Sequence, residues 1–237
     1  MKEKKPKKEK VTEEEEEREE EKAEEKEKTE KTAKDAKQHR QRDIKAVLLD
    51  MDGVLVKSKE AWFRAFKETA GVERETFDTR YWGRDLNKNL AEIGGDRVHF
   101  CEMVFPKHSD AVEIMGGVDE ALKQLREAGL SLAIITNTTE RCTRKILSGF
   151  GLEGYFQTVV TSDTVSQGKP HPEMVIHACS TLGVRPREAV VVGDSEEDMS
   201  AGQKAGCHTV GFKVDGDDRI EDLSELPQLI TAISSEQ

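Results

Sequence analysis

The sequence predicts an α/β fold: a parallel sheet with helices on both faces, an inserted helical cap, and a charged tail ahead of it. Three observations point there. From residue 44 onward, short apolar runs alternate with amphipathic helical segments. Several of those runs end in acids, hydroxyls or amides. After the first run, residues 59–112 break the alternation and are helical and rich in aromatics. Strands alternating with helices at this spacing imply crossover connections and a parallel sheet.

The tail comes first in the chain. Residues 1–43 hold 15 Lys/Arg and 16 Asp/Glu, so the segment is nearly neutral and almost without apolar surface. It cannot bury enough to offset its ordering entropy, and it is expected to be disordered or a solvated helix. Glu14–Arg18, Glu24–Lys28, Glu27–Lys31 and Glu30–Lys34 stand at i,i+4 in the favourable order. Each such pair adds about 0.2–0.5 kcal/mol to a lone helix. The preferred reading is a solubilising extension or a mis-called start codon; the alternative is an interaction segment with a protein partner.

The core is expected to comprise residues 44–58 and 113–237. "IKAVLLD" (44–50) reads as a buried strand. "VDEALKQLREAG" (118–129) carries Val118, Ala121, Leu122, Leu125 and Ala128 on one helical face, with Gly129 as a stop. "LSLAIITN" (130–137) is a second buried strand, and "TERCTRKILSGFG" (139–151) a helix. "FQTVVTSD" (156–163) is a strand. "HPEMVIHACSTLG" (171–183) is a helix with Pro172 in its first turn. "EAVVVGDS" (188–195), "EEDMSAGQKAG" (196–206) and "CHTVGF" (207–212) read as strand, helix and strand, and 222–233 as a closing helix or turn pair. Within the cap, 61–71 and 85–95 read as helices stopped by glycine.

The body after residue 43 carries 22 basic and 32 acidic side chains, which argues against nucleic acid as a partner. No apolar run reaches 18 residues, so no spanning helix is expected, and the N-terminus lacks the apolar core of a secretory signal. Cys101, Cys142, Cys179 and Cys207 are well separated, with no CxxC. Ordinary reduced thiols in a cytoplasmic protein are the expectation.

Ligands of parallel sheets bind beyond the carboxyl ends of the strands. Asp50 and Asp52, Thr136 and Asn137, Asp163, and Gly193-Asp194-Ser195 are all expected there. One such group is ordinary turn chemistry. Several strands ending in groups suited to metal or phosphate are not. Two carboxylates one residue apart can divide the work, one attacking an electrophile and the other moving a proton. A hard cation with oxygen ligands would hold a phosphate against the first, and Mg²⁺ fits best. Asp194 is a further candidate ligand, and Asp198, one helical turn on, could reach the cluster directly or through water. Lys169 in "GKPHPE" and the Thr136 hydroxyl are suited to holding the transferring phosphoryl oxygens.

"DMDGVL" (50–55), "ITN" (135–137), "GKPHPE" (168–173) and "GDSEEDMSAGQKAG" (193–206) resemble, in order, the four motifs of the haloacid dehalogenase superfamily. The resemblance spans residues 44 to about 212. It implies a Rossmann-like core and phosphoryl transfer through an aspartyl-phosphate. By the same resemblance Asp50 is the nucleophile, and Asp52 the general acid/base whose backbone carbonyl also ligates Mg²⁺. Thr136, with Asn137 beside it, binds phosphate, and Lys169 steadies nucleophile and phosphoryl group. Asp194 is a metal ligand and Asp198 the second acid of the last motif. Gly53 begins a turn that, with the cap, opens and closes the site. The insert resembles the cap of the phosphoglycolate phosphatase and β-phosphoglucomutase branch, where Gly83 and Arg84 are the candidate substrate contacts.

The expected activity is therefore Mg²⁺-dependent hydrolysis of a small phosphorylated metabolite, phosphoglycolate-like or a sugar phosphate. A phosphomutase is the alternative within the superfamily, and a non-catalytic regulatory protein using its tail is the alternative outside it. The acid at position 52 favours phosphate-ester chemistry over dehalogenation.

Overall fold

A computed structural model describes residues 43–235. Except for Asp43, the expected tail of residues 1–43 lies outside the described residues, as does its solvated helix. The chain enters the sheet through β1 (Ala46–Leu49). A two-residue strand, β2 (Val56–Lys57), then pairs antiparallel with β3 (Glu113–Ile114). The remaining strands are β4 (Ser131–Ile135), β5 (Thr158–Val160), β6 (Ala189–Gly193), β7 (His208–Phe212) and β8 (Asp218–Ile220). Six of them form one sheet in the order β5-β4-β1-β6-β7-β8, every pairing parallel.

The helices alternate with these strands as expected. The longer ones are α1 (Lys59–Ala70), α2 (Leu86–Glu92), α3 (Val118–Glu127), α4 (Glu140–Gly149), α5 (Glu173–Leu182), α6 (Glu196–Ala205) and α7 (Leu226–Ser235). Alternation along each strand divides the core in two. Val47, Leu49, Leu132, Ile134, Val190 and Val192 pack on one face, with apolar residues of α3, α4 and the cap. Ala46, Leu48, Ala133, Ile135, Ala189 and Val191 pack on the other, against α5 and α6. Strands buried on both faces read as continuous apolar runs, which is why the sequence showed them so clearly. It did not show β2, β3 or β8. β2 and β3 are two residues each, and β8 reads Asp-Arg-Ile, with no apolar run to mark it.

Between β2 and β3 lies the helical cap. After α1, Arg74–Thr76 runs on into a π-helical turn, Phe77–Tyr81, and α2 follows. Arg97–His99 runs likewise into a second π-helical turn, Phe100–Val104, and then a 3₁₀ run, Phe105–Ala111. Aromatic rings hold these short pieces together. Phe66 lies 5.5 Å from Phe77, 5.4 Å from Tyr81 and 5.5 Å from Phe100, and Trp62 stacks 4.0 Å from Phe105.

The thiol expectation is corrected for two of the four cysteines. Cys101 of the second π-helical turn and Cys142 of α4 form a disulfide across a sequence separation of 41. Spacing did not reveal it, because only the packing of the cap on α4 brings their Cα atoms to 5.3 Å. Cys179 and Cys207 are buried and free of disulfides.

Candidate active site

Register assembles the site. Leu49 of β1 stands level with Ile134 of β4 and Val192 of β6. Asp50 therefore falls one step before the level of Thr136 and Asp194, on three adjacent strands spaced about 4.8 Å apart. The chain crosses from one side of β1 to the other between β5 and β6, so this edge is also the switch point of the sheet.

Lys169 arrives from the loop between β5 and α5, and Asn137 places it. The Asn137 side chain accepts from Lys169 N at 2.9 Å and donates to Lys169 O at 3.1 Å. The Lys169 ammonium then lies 2.8 Å from Asp50 Oδ1 and 2.6 Å from Asp198 Oδ1, and donates to Ile135 O at 3.1 Å. Asp198 is fully buried in the first turn of α6, and its backbone N–H donates to the Ser195 hydroxyl that caps the helix. Asp50 Oδ1 also accepts from Met51 N at 2.7 Å, which leaves Oδ2 without a hydrogen-bond donor among the described residues.

One carboxylate oxygen each from Asp50, Asp194 and Asp198 lie within 4.8 Å of one another. Three hard oxygen donors at this separation suit Mg²⁺ or a similar divalent cation. The electrostatics point the same way. Burial raises the Asp50 carboxyl well above its ordinary range, and Asp198, Asp194 and Asp52 push it further against the pull of Lys169. Burial, then Asp198, pushes Asp194 up to about 7. Lys169 is held above its ordinary value, the carboxylates of Asp198 and Asp50 outweighing its burial. A group of acids reluctant to ionise together is what a bound dication would relieve.

Asp52 occupies a different position. Its Oδ1 accepts from Ser58 Oγ and from Trp62 Nε1 at 2.8 Å, and its Oδ2 from Thr138 Oγ1 at 2.9 Å. The carboxylate stands outside the three-acid group, and only the Asp52 main chain remains for the ligand role that the resemblance implies. Ser58, Trp62 and Thr138 were not picked out from the sequence. Thr138 adjoins "ITN", but Ser58 and Trp62 reach Asp52 only because the chain turns back after it.

Asp50, Asp52 and Lys169 face a cavity of about 50 Å³ roofed by Trp62, Tyr81 and Trp82 of the cap. Thr136, Gly83 and Arg84 also line it. The Thr136 hydroxyl accepts from Thr138 N at 3.2 Å. Gly83 is engaged through its carbonyl, which accepts from Asn137 Nδ2 at 2.9 Å, while Arg84 Nη1 donates to Arg80 O at 2.8 Å. Asp163 stands apart from the acids, capping α4 through Glu140 N at 2.8 Å and receiving Arg97 and Asn87 from the cap.

Residues 47–212 match the family model for haloacid dehalogenase-like hydrolases. A pyrophosphatase, PpaX, from Halalkalibacterium halodurans is 31% identical over 216 residues, covering 81% of this chain and 97% of its own length. A phosphoglycolate phosphatase from Psychrobacter arcticus is 32% identical, over 72% of this chain and 84% of its own. The crystal structure of a HAD phosphatase from Thermococcus onnurineus is similar, with a TM-score of 0.63 and 26% identity, covering 80% of this chain and 99% of that one.

Proposed function

The chain belongs to the haloacid dehalogenase-like hydrolases, and from that premise we propose a Mg²⁺-dependent phosphatase that works through a phosphorylated Asp50. Residues 44–58 and 113–237 form its catalytic core and 59–112 its cap. The observation that carries the reading is the convergence of Asp50, Asp198 and Lys169, at 2.8 and 2.6 Å, beside Asp194.

Asp50 Oδ2 attacks the phosphorus while the bond to the leaving oxygen breaks, and Asp52 gives that oxygen a proton. Asp52, then ionised, takes a proton from a water that attacks the phosphoryl group. The bond to Asp50 breaks and phosphate leaves. Lys169 stays charged throughout and balances the phosphoryl oxygens, with the Thr136 hydroxyl beside it. The Ser58, Trp62 and Thr138 donors hold the Asp52 carboxylate in one orientation. Asp50, Asp194 and Asp198 would hold Mg²⁺, which would supply the positive charge that lets an anion attack an anion.

The relatives favour a compact substrate. Phosphoglycolate and pyrophosphate, the substrates in the relatives' names, fit that description better than a sugar phosphate does. The test is hydrolysis of p-nitrophenyl phosphate with and without EDTA, followed by a panel of these three classes. Turnover should require Mg²⁺ and vanish in Asp50→Asn. Equal rates for wild type and Asp50→Asn would refute the reading, and a preference for glucose phosphates would refute the substrate class.

No helix among the described residues is long and apolar enough to cross a membrane.

A further inference from the structure

The Cys101–Cys142 disulfide crosses the seam between the cap and α4. A cavity of about 50 Å³ over Asp50 has room for a few waters and too little for a phosphate ester, so the cap has to shift for one to bind there. The cap leaves and rejoins the core through β2 and β3. Apart from that neck, it contacts α4 and the loop that carries Thr136, Asn137 and Thr138.

Most contacts along this seam are reversible. Glu102 receives Arg141 and pairs with Lys145 at 2.8 Å. Asp163 receives Arg97 at 2.6 Å and Asn87 at 2.9 Å. Leu86 N donates to Asn137 O at 2.9 Å. Exposed polar pairs such as these are worth little individually and break readily. Cys101–Cys142 is different in kind. It joins the cap to the first turn of α4 covalently, five residues after Asn137, and both cysteines are fully buried. With it intact the cap is tied at the neck and at α4, and cannot swing away as a body.

We propose that Cys101–Cys142 is a redox lock on the cap, resting on the phosphatase reading for its effect on turnover. Oxidised, it holds the cap over Asp50 and slows entry and release. Reduced, it leaves the seam to its polar contacts and the cap opens. Reduction takes two electrons and two protons from a dithiol. The S–S bond breaks, Cys101 and Cys142 become thiols, and the reductant's sulfurs join in a disulfide of their own. Because both cysteines are buried, the reductant reaches them only when the second π-helical turn frays.

The full chain is prepared oxidised and the 101–142 crosslink verified by non-reducing peptide mapping. It is then compared with protein reduced to completion by dithiothreitol, and with Cys142→Ser and Cys101→Ser. Two readouts are taken: kcat on p-nitrophenyl phosphate with Mg²⁺, and amide hydrogen exchange across 97–104 and 139–147. Reduction and either substitution should raise kcat several-fold and speed exchange in both segments, and dithiothreitol should add nothing to the variants. Equal kcat and equal exchange in the two redox states would overturn the lock. So would failure of the crosslink to form in oxidised protein, or a kcat that falls on reduction. A cleft of about 750 Å³ bordered by Gly53 and Asp194 on the neck side is the route that would make the lock irrelevant; substrate entry there predicts faster exchange with unchanged kcat, which also overturns it. If no redox form hydrolyses any phosphate ester, the phosphatase reading fails separately, and the exchange comparison still decides whether the disulfide holds the cap.

Discussion

Lys169 is the residue on which the acids depend. It is buried, as are Asp50 and Asp198, so each charge needs the others. Removing one partner of a buried ion pair costs about 3–5 kcal/mol, because the remaining charge is stranded. Lys169→Met in metal-free protein should therefore be less stable to urea by about that free energy, and with Mg²⁺ present it should lose activity. Unchanged urea stability would show that the lysine is not the counter-ion. The acids also set a pH dependence. Asp194 is pushed from its ordinary 3.8 up to about 7, and Asp50 is raised as well. Between those values the folded state holds protons that the unfolded state has lost. Metal-free stability is then full below about pH 4 for these groups and declines as pH rises toward 7. Mg²⁺ needs the ionised acids, so its affinity should rise from pH 6 to pH 8, with protons released on binding at pH 6. Titration calorimetry in two buffers checks both the sign and the proton count.

At the scale of elements, the turn after β1 is the most constrained piece of chain. Leu55 N and Val56 N return to Met51 O, and Gly53 N to Val56 O, which folds the segment back on itself. Gly53 has φ of 86°, and a Cβ there would lie 1.9 Å from Asp194 Oδ2. Both facts demand glycine. Gly53→Ala should cost roughly 1–3 kcal/mol of backbone strain. Displacing Asp194 by about an ångström should lower kcat by on the order of 10²-fold, by analogy with other misplaced groups. Circular dichroism with steady-state kinetics separates the two effects. A variant with wild-type kcat would mean that the turn yields without moving Asp194. The strands were readable as continuous apolar runs, and the long helices because their period repeats over successive turns. The π-helical turns and the β2–β3 neck were not, since they carry neither an apolar run nor enough residues for a period to show.

For the whole molecule, every residue of the proposed machinery lies between Asp50 and Asp198, outside the tail. Deleting residues 1–42 should leave kcat/KM for an aryl phosphate unchanged. A large loss would give the tail a part in the site. The sheet order sets the remaining relations. β1 lies between β4 and β6, so motifs separated by scores of residues in the chain become neighbours at one edge. The cap closes that edge and shapes the cavity that limits what enters.

The sequence by itself determined the alternation of strands and helices, the identity of Asp50, Asp52, Lys169, Asp194 and Asp198 as candidates, and the position of the insert. These follow from local periodicity and short motifs, which are written in consecutive residues. Only the tertiary structure decided which groups touch. It paired Lys169 with Asp198 as well as Asp50, and turned the Asp52 carboxylate toward Trp62 and Ser58. It also joined Cys101 to Cys142, 41 residues apart. Contacts of that kind depend on the packing of whole elements against one another. No local stretch of chain encodes the distance between two surfaces that meet only after folding.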